Sequence, residues 1–280
     1  MAKTLTIRGN SFAWGSKTYL MGILNVTPDS FSDGGEFNHP QTALSQAQLL
    51  ESGGADIIDV GGQSTRPGAE QISLSQELER VVSVIELIRS KIPHLPISVD
   101  TTRAEVAKAA IEAGADLVND ISGATFDDAM LATVAQLDVP IVLMHIRGNP
   151  QTMQSLTNYD DLLGEICQFL AQRITLALEA GIKAENIIID PGIGFAKTQT
   201  QNLELLRRLT ELHSLSAPIL VGASRKSFIG NILNRSEPKE RVWGTAAACC
   251  RAIASGADIL RVHDVIPMTD VCRVADALWR

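Results

Sequence analysis

The chain has 280 residues, of which 45% are hydrophobic, and its formal net charge at pH 7 is -8. This length is sufficient for one large α/β domain, and no linker rich in Pro, Ser or Gly divides the chain. The acidic balance argues against a nucleic-acid partner. Because no apolar run is long enough for a signal peptide or a membrane span, we predict a cytoplasmic protein that does not enter a membrane.

The four cysteines, Cys167, Cys249, Cys250 and Cys272, form no C-x-x-C pair. Most of them fall inside apolar helical patterns, so we expect reduced thiols in the core. A metal site built from cysteines is the less favoured alternative.

A repeated pattern runs along the chain: a short apolar segment, one or two polar residues, a loop, and then a helical pattern. After a stretch at residues 5–19 that suits a small hairpin, apolar runs bounded by Gly, Pro, Asn and Asp predict the strands. The predicted strands cover residues 20–24, 56–60, 97–99, 117–118, 141–144, 187–189, 218–221 and 259–262.

A helical pattern follows each predicted strand. Pro40 opens the first helix and Pro267 sets off the last, since proline suits the first turn of a helix. Thr102 and Glu105 match a capping box and predict the start of the third helix. Other helices are predicted along residues 74–88, from about residue 127 to 137, between residues 160 and 180, and around residues 246–254.

Eight strand-helix units predict an α/β protein with the (β/α)8 TIM barrel fold and a short amino-terminal hairpin. An internal repeat supports this fold, because Gly-Ala-Asp leads into a strand at residues 54–56, 114–116 and 256–258. In each copy the glycine can end a helix in a left-handed conformation. A doubly wound open sheet shares the alternation and is the alternative, but eight units is the number that closes a barrel.

In a barrel the carboxyl ends of all strands meet at one mouth, where active sites form. The polar residues predicted there are Asn25, Asp59, Asp100, Asn119, His145, Asp190, Lys226, Arg261 and His263. They include no nucleophile held by a base and no His/Cys metal cluster, and residues 222–227 lack the second glycine of a P-loop. Carboxylates and amides with a few cations suit a flat, nitrogen-rich ring.

Asp190 is the candidate for the main contact to such a ring, because it ends a strand of three consecutive isoleucines and precedes a turn. A carboxylate can accept two parallel hydrogen bonds from a 2-amino-pyrimidinone edge, each worth roughly 1.5–3 kcal/mol. Lys226, Arg261 and His263 add positive charge that suits a ring carbonyl oxygen or a phosphate.

Five segments carry a specific resemblance to a known family. They read MGILNVTPDSFSDGG, DVGGQSTRPG, NDISG, DPGIGF and SRKS, at residues 21–35, 59–68, 119–123, 190–195 and 224–227. In this order they resemble the signature segments of the dihydropteroate synthase family, and the similarity covers essentially the whole chain. The first two segments are long and specific, and no site position departs from the family pattern.

The resemblance implies a folate-pathway transferase with one pterin-binding (β/α)8 domain over residues 1–280. Its substrates would be (7,8-dihydropterin-6-yl)methyl diphosphate and 4-aminobenzoate, and its products 7,8-dihydropteroate and pyrophosphate. The resemblance also implies Mg2+ as cofactor, a homodimer, and a target of sulfonamides, which mimic 4-aminobenzoate.

The family pattern also assigns roles to residues of this sequence. The pterin ring would contact Asp100, Asn119, Asp190 and Lys226. The diphosphate would contact Thr65, Arg261 and His263, and Asn25 would bind Mg2+ with the phosphates. The loops that would close over 4-aminobenzoate carry Phe31, Asp33, Ser64, Arg66, Pro67, Phe195 and Ser227. The residues expected to act on the reacting groups are Asp33, Asp100, Lys226 and Arg261.

These residue types fit the reaction. An aryl amine is a weak nucleophile, and Mg2+, Arg261 and His263 can stabilise the charge on the departing pyrophosphate. Asp100 or Asp33 can stabilise the positive charge that develops on the pterin methylene. We therefore expect a dissociative mechanism with ordered binding, in which residues 27–35 form a lid.

Some interpretations stay open at this point. Asp59 suits a structural role in the barrel mouth, His145 is ambiguous, and Asp29 suits either loop geometry or a metal contact. Two other functions also remain. A corrinoid-linked pterin-binding methyltransferase would not need the lid at residues 27–35, and a non-enzymatic pterin-binding paralogue would be expected to lose a loop residue such as Asp33.

Overall fold

The computed structural model describes residues 4–27, 39–66 and 68–280. An antiparallel hairpin opens the chain, with strands β1 (Thr4–Ile7) and β2 (Asn10–Ala13). Arg8 and Gly9 form its turn with positive φ angles of 49° and 76°. Positive φ at both central residues is typical of two-residue hairpin turns, so the predicted amino-terminal hairpin is present.

Parallel strands form the barrel. They are β3 (Tyr19–Asn25), β4 (Ile57–Gly61), β5 (Ile97–Asp100), β6 (Leu117–Asp120), β7 (Ile141–Met144), β8 (Ile187–Asp190), β9 (Leu220–Val221) and β10 (Ile259–Val262). They pair in the order β8, β7, β6, β5, β4, β3, β10, β9. A bridge between Ile189 and Ile219 joins the two ends of this order. The predicted (β/α)8 barrel is therefore confirmed, and the open sheet is wrong.

Helices alternate with these strands and pack around the barrel. Within the described residues they are α1 (His39–Ser52), α2 (Leu74–Lys91), α3 (Ala104–Glu112), α4 (Met130–Leu137), α5 (Leu162–Glu179), α6 (Gln199–Arg207), α7 (Ser227–Leu233), α8 (Val242–Ala254) and α9 (Val265–Trp279). In this part of the chain, none of them is both long and apolar enough to cross a membrane.

The start of α3 differs from its prediction. The expected capping box of Thr102 and Glu105 is wrong, because α3 begins after Arg103, which makes no side-chain cap. The Ala104 amide instead donates to the carboxylate of Asp127 (2.8 Å), which precedes α4. A tertiary contact thus satisfies an amide that a local cap would otherwise serve.

Two other helices also depart from the prediction. α4 begins at Met130, because the Asp127 carboxylate accepts the Ala129 amide (3.0 Å) in a turn before the helix. α7 was not predicted, and it lies between β9 and the expected helix of small residues. Its 7 residues are too few to show a clear helical periodicity.

Alternation along the strands decides what the barrel interior contains. Residues two apart in a strand point to the same face. On several strands the inward residue near the amino end is apolar and the next inward residue is polar. These pairs are Ile57/Asp59, Leu117/Asn119, Ile188/Asp190 and Ile259/Arg261. The interior therefore changes from an apolar layer at the amino-terminal end to a charged layer at the carboxyl-terminal mouth.

The hairpin covers the amino-terminal end of the barrel. Phe12 is buried, and its ring centroid lies 4.8 Å from that of Tyr19 at the start of β3. The apolar cluster formed at this end comprises Leu5, Ile7, Phe12, Tyr19, Met21, Ile57, Leu117, Val142, Ile188, Leu220 and Ile259. Hairpin and barrel thus share one core, which is stabilised by the removal of apolar surface from water.

The Gly-Ala-Asp repeat has the same structure in all of its copies. Its glycines have the predicted positive φ, with 103° at Gly54, 113° at Gly114 and 84° at Gly256. Its aspartates, here called the repeat aspartates, are Asp56, Asp116 and Asp258. Each accepts a backbone amide at or beside the start of a strand, from Leu20 (2.8 Å), Ile97 (2.8 Å) and Ile219 (3.0 Å) respectively.

The repeat aspartates also attach the amino-terminal segment. The other carboxylate oxygen of Asp56 contacts the Lys17 ammonium (2.7 Å), and that of Asp116 contacts the Arg8 guanidinium (2.6 Å). The Gly15 amide donates to the second oxygen of Asp258 (2.9 Å). The repeat is therefore a structural device that joins barrel strands to the hairpin.

Candidate active site

Arg261 on β10 joins two carboxylates at the barrel mouth. Its Nε donates to Asp59 (2.6 Å) and its Nη2 donates to Asp100 (2.6 Å). Asn119 donates its side-chain amide to the same oxygen of Asp59 (3.0 Å). Side chains from β4, β5, β6 and β10 thus meet in one group, as their positions near the ends of parallel strands predict.

Asp59 connects this group, although the sequence pointed only to a structural role. It is fully buried, and its Oδ2 accepts from both Arg261 and Asn119. Its Oδ1 is also buried and has no hydrogen-bond partner among the described residues. An unsatisfied buried acceptor costs about 1–3 kcal/mol. Asp59 therefore orients its two partners, and its second oxygen is both unpaired and shielded from solvent.

Asn25 ends β3 on the Asp100 side of this group. A Cβ placed on Gly61 would lie 3.7 Å from Asn25 Oδ1 and 3.6 Å from Asp100 Oδ2. Because glycine has no side chain, the amide oxygen and the carboxylate border one small gap.

Asp190 ends β8, and only 5% of it is exposed. Its Oδ1 accepts the Gly192 amide (2.7 Å). Its Oδ2 faces Gly222, where a Cβ would lie 3.9 Å from that oxygen and 3.9 Å from Arg261 Cβ. Gly222 therefore leaves space between the Asp190 carboxylate and Arg261.

Lys226 lies directly before α7 and contacts the loop that follows β8. Its Nζ is 4.1 Å from the centroid of the Phe195 ring, a cation–π contact. Its side-chain stem lies against Gly194, where a Cβ would be 2.9 Å from Lys226 Cδ. Burial lowers the pKa of Lys226 to about 8, although Asp190 opposes the shift.

The charges at the mouth do not balance. The acids Asp59, Asp100 and Asp190 face the cations Arg261 and Lys226. Burial raises the pKa of Asp100 to about 7 despite Arg261, and burial raises the pKa of Asp190 to about 6 despite the Gly192 amide. Burial also disfavours the charge on Arg261, but its acidic partners outweigh this and raise its pKa above the ordinary value. The shared guanidinium therefore stays charged, and burial makes the Asp100 carboxyl easier to protonate than a free one.

His263 follows β10 and lies among cations. Its Nδ1 is 3.0 Å from the Ser224 hydroxyl oxygen. Burial, together with nearby positive charge, lowers the pKa of His263 to about 3, so the imidazole is neutral and the expectation that it adds positive charge is wrong for the free protein. The cations that act on it are Arg225, Arg261, Lys226 and Arg66. A position that repels a proton in this way favours an anion.

A cavity of about 410 Å³ opens beside the convergent group. Asp100 lines it, together with Ser64 and Thr65 from the loop after β4. Phe126 and Pro150 also line it, and the sequence had not indicated either residue. Asn119, Asp190, Lys226 and Arg261 are not among its lining residues, so the cavity adjoins the charged mouth rather than containing it.

The remaining predicted site residues fall into two groups. Arg66 is exposed on the loop after β4, Ser227 is exposed at the first position of α7, and Phe195 is buried beneath Lys226. Phe31, Asp33 and Pro67, with Asp29 and the predicted lid, lie outside the described residues.

One buried pair near the site was missed by the sequence analysis. The Lys197 ammonium lies 3.1 Å from Nδ1 of His145, the ambiguous residue that follows β7. Both side chains are buried, with 3% and 2% exposed respectively. A lysine just after a glycine-rich loop is ordinarily solvent-exposed, so the sequence carried no signal for this contact.

Few of the described side chains are placed to act as metal ligands. No group of three or more His, Cys, Asp or Glu side chains is arranged to hold a metal ion in the part of the chain that the structure describes. The oxygen donors that fit Mg2+ are those of Asn25 and Asp100 beside Gly61. Mg2+ commonly keeps waters and takes other ligands from substrate phosphates, so this site suits a metal that arrives with a diphosphate. All four cysteines are free.

Several known proteins are similar to this chain in sequence and in fold. A family model described as pterin binding enzyme matches residues 21–263. A dihydropteroate synthase of Synechocystis sp. is 64% identical over 269 residues, which cover 96% of this chain and 93% of that protein. A structure of Xanthomonas albilineans dihydropteroate synthase with 4-aminobenzoic acid has a TM-score of 0.92 at 41% identity, covering 99% of this chain and 98% of that one. A Yersinia pestis dihydropteroate synthase in a sulfonamide drug complex also has a TM-score of 0.92, at 43% identity and 98% coverage of both chains. The chain therefore belongs to the pterin binding enzymes and, within them, to the dihydropteroate synthase family.

Proposed function

We propose that this protein joins 4-aminobenzoate to (7,8-dihydropterin-6-yl)methyl diphosphate, giving 7,8-dihydropteroate and pyrophosphate in folate synthesis. The observation that carries the proposal is the meeting of Asp100, Asn119 and Asp190 with Arg261 at one barrel mouth. Membership of the family gives the reaction class.

The pterin ring binds where acceptors remain open. The Oδ2 of Asp190 faces the space at Gly222 and can accept from the 2-amino-pyrimidinone edge. Asn119 presents the amide oxygen that its bond to Asp59 leaves free, and Lys226 donates to the ring carbonyl. A carboxylate that accepts two parallel hydrogen bonds gains both affinity and orientation.

Pyrophosphate leaves toward the cations. The bond between the pterin methylene and the diphosphate oxygen breaks, and its electron pair goes to the pyrophosphate. Arg261 and the positive surroundings of His263 stabilise this charge, with Thr65 at the edge of the adjoining cavity. The methylene becomes positive while it is conjugated with the ring, and ionised Asp100 stabilises it.

The amine then forms the new bond. The nitrogen of 4-aminobenzoate attacks the methylene, and the anilinium product loses its proton to solvent without a strong base. The pocket for 4-aminobenzoate is assigned to Ser64, Arg66, Phe195 and Ser227, together with Phe31, Asp33 and Pro67 outside the described residues. Binding is ordered in this scheme, with the pterin substrate first. Undiminished binding of 4-aminobenzoate to enzyme that lacks both pterin substrate and pyrophosphate would contradict the order.

Mg2+ is part of the proposal. Asn25 would hold it with the substrate phosphates, and the Asp100 carboxylate borders the same gap at Gly61. When bound, the metal neutralises negative charge on the leaving pyrophosphate. Turnover should therefore stop on chelation with EDTA and return with added Mg2+.

A homodimer is also proposed. Adjacent helices α7, α8 and α9 expose large apolar side chains, whereas such residues usually lie scattered on monomers. They are Ile232, Leu233, Trp243, Ile266, Val274, Leu278 and Trp279. Trp243 is the most exposed, at 76%. Sedimentation should give a dimer that Trp243→Glu weakens, and a monomeric wild type at micromolar concentration would reject this part of the proposal.

The function itself is tested by a direct assay. Purified protein with both substrates and Mg2+ should release pyrophosphate and form dihydropteroate in equal amounts. A corrinoid-linked methyltransferase or a binding-only pterin protein would release none. Omission of 4-aminobenzoate is the control for simple hydrolysis of the diphosphate.

A further inference from the structure

Lys197 is a buried lysine whose hydrogen-bond partners are all uncharged. It directly precedes the Thr198 cap of α6 and is 3% exposed. Its Nζ contacts the backbone carbonyl oxygens of Gly192 (3.0 Å) and Phe195 (3.0 Å), and Nδ1 of His145 (3.1 Å). Lysine is almost never fully buried unless it is paired with an acid. Asp190 acts on Lys197 electrostatically but forms no ion pair with it among the described residues, so the burial of Lys197 must be explained by its uncharged partners.

The three contacts match the three donors of a protonated lysine, although burial lowers the pKa of Lys197 to about 7. Lysine has three N–H donors, and these carbonyl oxygens with a neutral imidazole nitrogen supply three acceptors. Burial lowers the pKa of His145 to about 2, so the ring is neutral and Nδ1 can accept. The His145 amide also donates to the Asp190 carbonyl oxygen (2.9 Å), which ties the end of β7 to the end of β8.

These contacts shape the β8–α6 loop, residues 191–198. Gly192, Gly194 and Ala196 all have positive φ angles, of 71°, 83° and 50°. Besides the two carbonyl oxygens that Lys197 occupies, the Ala196 carbonyl oxygen accepts from the Tyr159 hydroxyl (3.0 Å). Side chains therefore satisfy much of the backbone in this loop, with three contacts from Asn202 and two from Lys197.

The same loop forms the surface on which Lys226 lies. Gly194 contacts the Lys226 stem, and the Phe195 ring faces the Lys226 ammonium at 4.1 Å. The loop directly follows Asp190, the carboxylate proposed to bind the pterin edge. A change in loop conformation would therefore move Lys226 and Phe195 relative to Asp190.

We propose that Lys197 is a positioning residue: through the β8–α6 loop it fixes Lys226 and Phe195 and so sets the affinity for the pterin substrate. This inference rests on the proposed function of the same site. Lys197 acts through the loop carbonyls and does not touch the substrate.

Kinetics of matched variants test the proposal. Lys197→Met keeps the length of the side chain and removes its donors. It should raise the KM for the pterin diphosphate about tenfold, because a misplaced Lys226 would lose its one charged hydrogen bond to the pterin ring. The matched control is Lys183→Met, because Lys183 is exposed and pairs with Asp138 away from the site. A purely structural role would lower the active fraction and leave the KM unchanged, which would overturn the proposal.

A second pair of variants examines the acceptor on His145. His145→Asn keeps an acceptor near the position of Nδ1, whereas His145→Leu has a similar volume and no acceptor. The Asn variant should keep a KM close to that of the wild type, and the Leu variant should resemble Lys197→Met. Equal KM values for the two variants would overturn the proposal.

Hydrogen exchange gives a readout that does not depend on turnover. In Lys197→Met, amides of residues 192–197 should exchange faster than in the wild type and in Lys183→Met. If the wild-type protein forms no dihydropteroate, the proposed function fails, and this measurement still tests the loop. Unchanged exchange in this segment would show that Lys197 does not hold it, and would overturn the inference alone.

Discussion

Aspartates at the two ends of the barrel are used differently. At the amino-terminal end, each repeat aspartate (Asp56, Asp116 or Asp258) accepts a strand amide with one oxygen and a partner from the amino-terminal segment with the other. At the carboxyl-terminal mouth, Asp59 has a buried oxygen without a partner among the described residues, and Oδ2 of Asp190 faces open space at Gly222. Complete pairing serves stability, and incomplete pairing leaves acceptors for a ligand.

The difference arises from the neighbours rather than from the residue type. The repeat aspartates meet backbone amides and cations that the hairpin supplies. At the mouth, Asp59 and Asp100 share one guanidinium, that of Arg261. Lys226 and Lys197 act on Asp190 electrostatically, but among the described residues neither is hydrogen-bonded to it. This difference predicts that changes at the mouth affect activity and that changes at the amino-terminal end affect stability.

Asp190→Asn should produce the largest change. Loss of the charged acceptor should lower kcat/KM for the pterin substrate by about 100-fold or more, since each charged hydrogen bond contributes roughly 1.5–3 kcal/mol. Stability should stay equal or rise, because a buried charge is removed. Steady-state kinetics and urea denaturation of the same preparation measure both effects. A variant that keeps full activity, or that simply unfolds, would remove the distinction between the two ends.

Asp116→Ala should give the opposite result. It removes the partner of Arg8 and Arg89 and the acceptor of the Ile97 amide, and should lower the free energy of unfolding by about 2–4 kcal/mol. The KM values of the folded fraction should not change. The matched control is Asp128→Ala, an exposed aspartate, which should be nearly neutral. An altered pterin KM in Asp116→Ala would contradict the assignment of this end to stability.

The pH dependence should separate binding from stability at Asp190. Its pKa in the folded protein is raised to about 6 by burial, above the ordinary value of 3.8. Binding needs the ionised form, so kcat/KM should fall about tenfold per unit as the pH drops below about 6. Between the two values the folded state holds more protons than the unfolded state, so the free energy of unfolding should decrease as pH rises from about 4 to 6.

Asp190→Asn is the control for both slopes. The residual kcat/KM of this variant should no longer fall as the pH drops below about 6. Its free energy of unfolding should decrease less than that of the wild type as the pH rises from about 4 to 6. If the variant follows the wild-type slopes, another group is responsible for them. Asp100, with a pKa raised by burial to about 7, would be the next group to examine.

Lys17→Met should produce the smallest change. The Lys17 side chain is 52% exposed, and exposed ion pairs contribute about 0.2–1 kcal/mol. A loss within that range, measured by urea denaturation, would show that the Asp56 contact to the Leu20 amide provides most of the stabilisation there. A loss as large as that of Asp116→Ala would contradict this ranking.

Most of the fold could be predicted from the sequence. Apolar runs of two to five residues ended by Asp, Asn, Gly or His located the barrel strands, and the Gly-Ala-Asp repeat located helix ends that do have positive φ. Local patterns were insufficient where a distant partner decides the structure. The capping box at Thr102 and Glu105 failed because Asp127 serves the first amide of α3, and the pattern for α7 was too short.

Prediction of the site from the sequence had the same limit, because contacts between distant residues decide part of it. Strand-end positions brought Asp100, Asn119 and Arg261 together correctly, because barrel geometry alone places them. The sequence did not reveal that Asp59 links Arg261 and Asn119, that His263 is neutral, or that His145 accepts from Lys197. Each of these facts depends on which side chains meet across the barrel and how deeply they are buried, and spacing along the chain carries neither.

The most direct test is a crystal structure of the protein with the pterin diphosphate analogue bound. The account predicts that the 2-amino-pyrimidinone edge lies within hydrogen-bond distance of Asp190 and Asn119, with the diphosphate beside Arg261 and His263. A ring bound only in the neighbouring cavity beside Phe126 and Pro150, or at the hairpin end of the barrel, would contradict it.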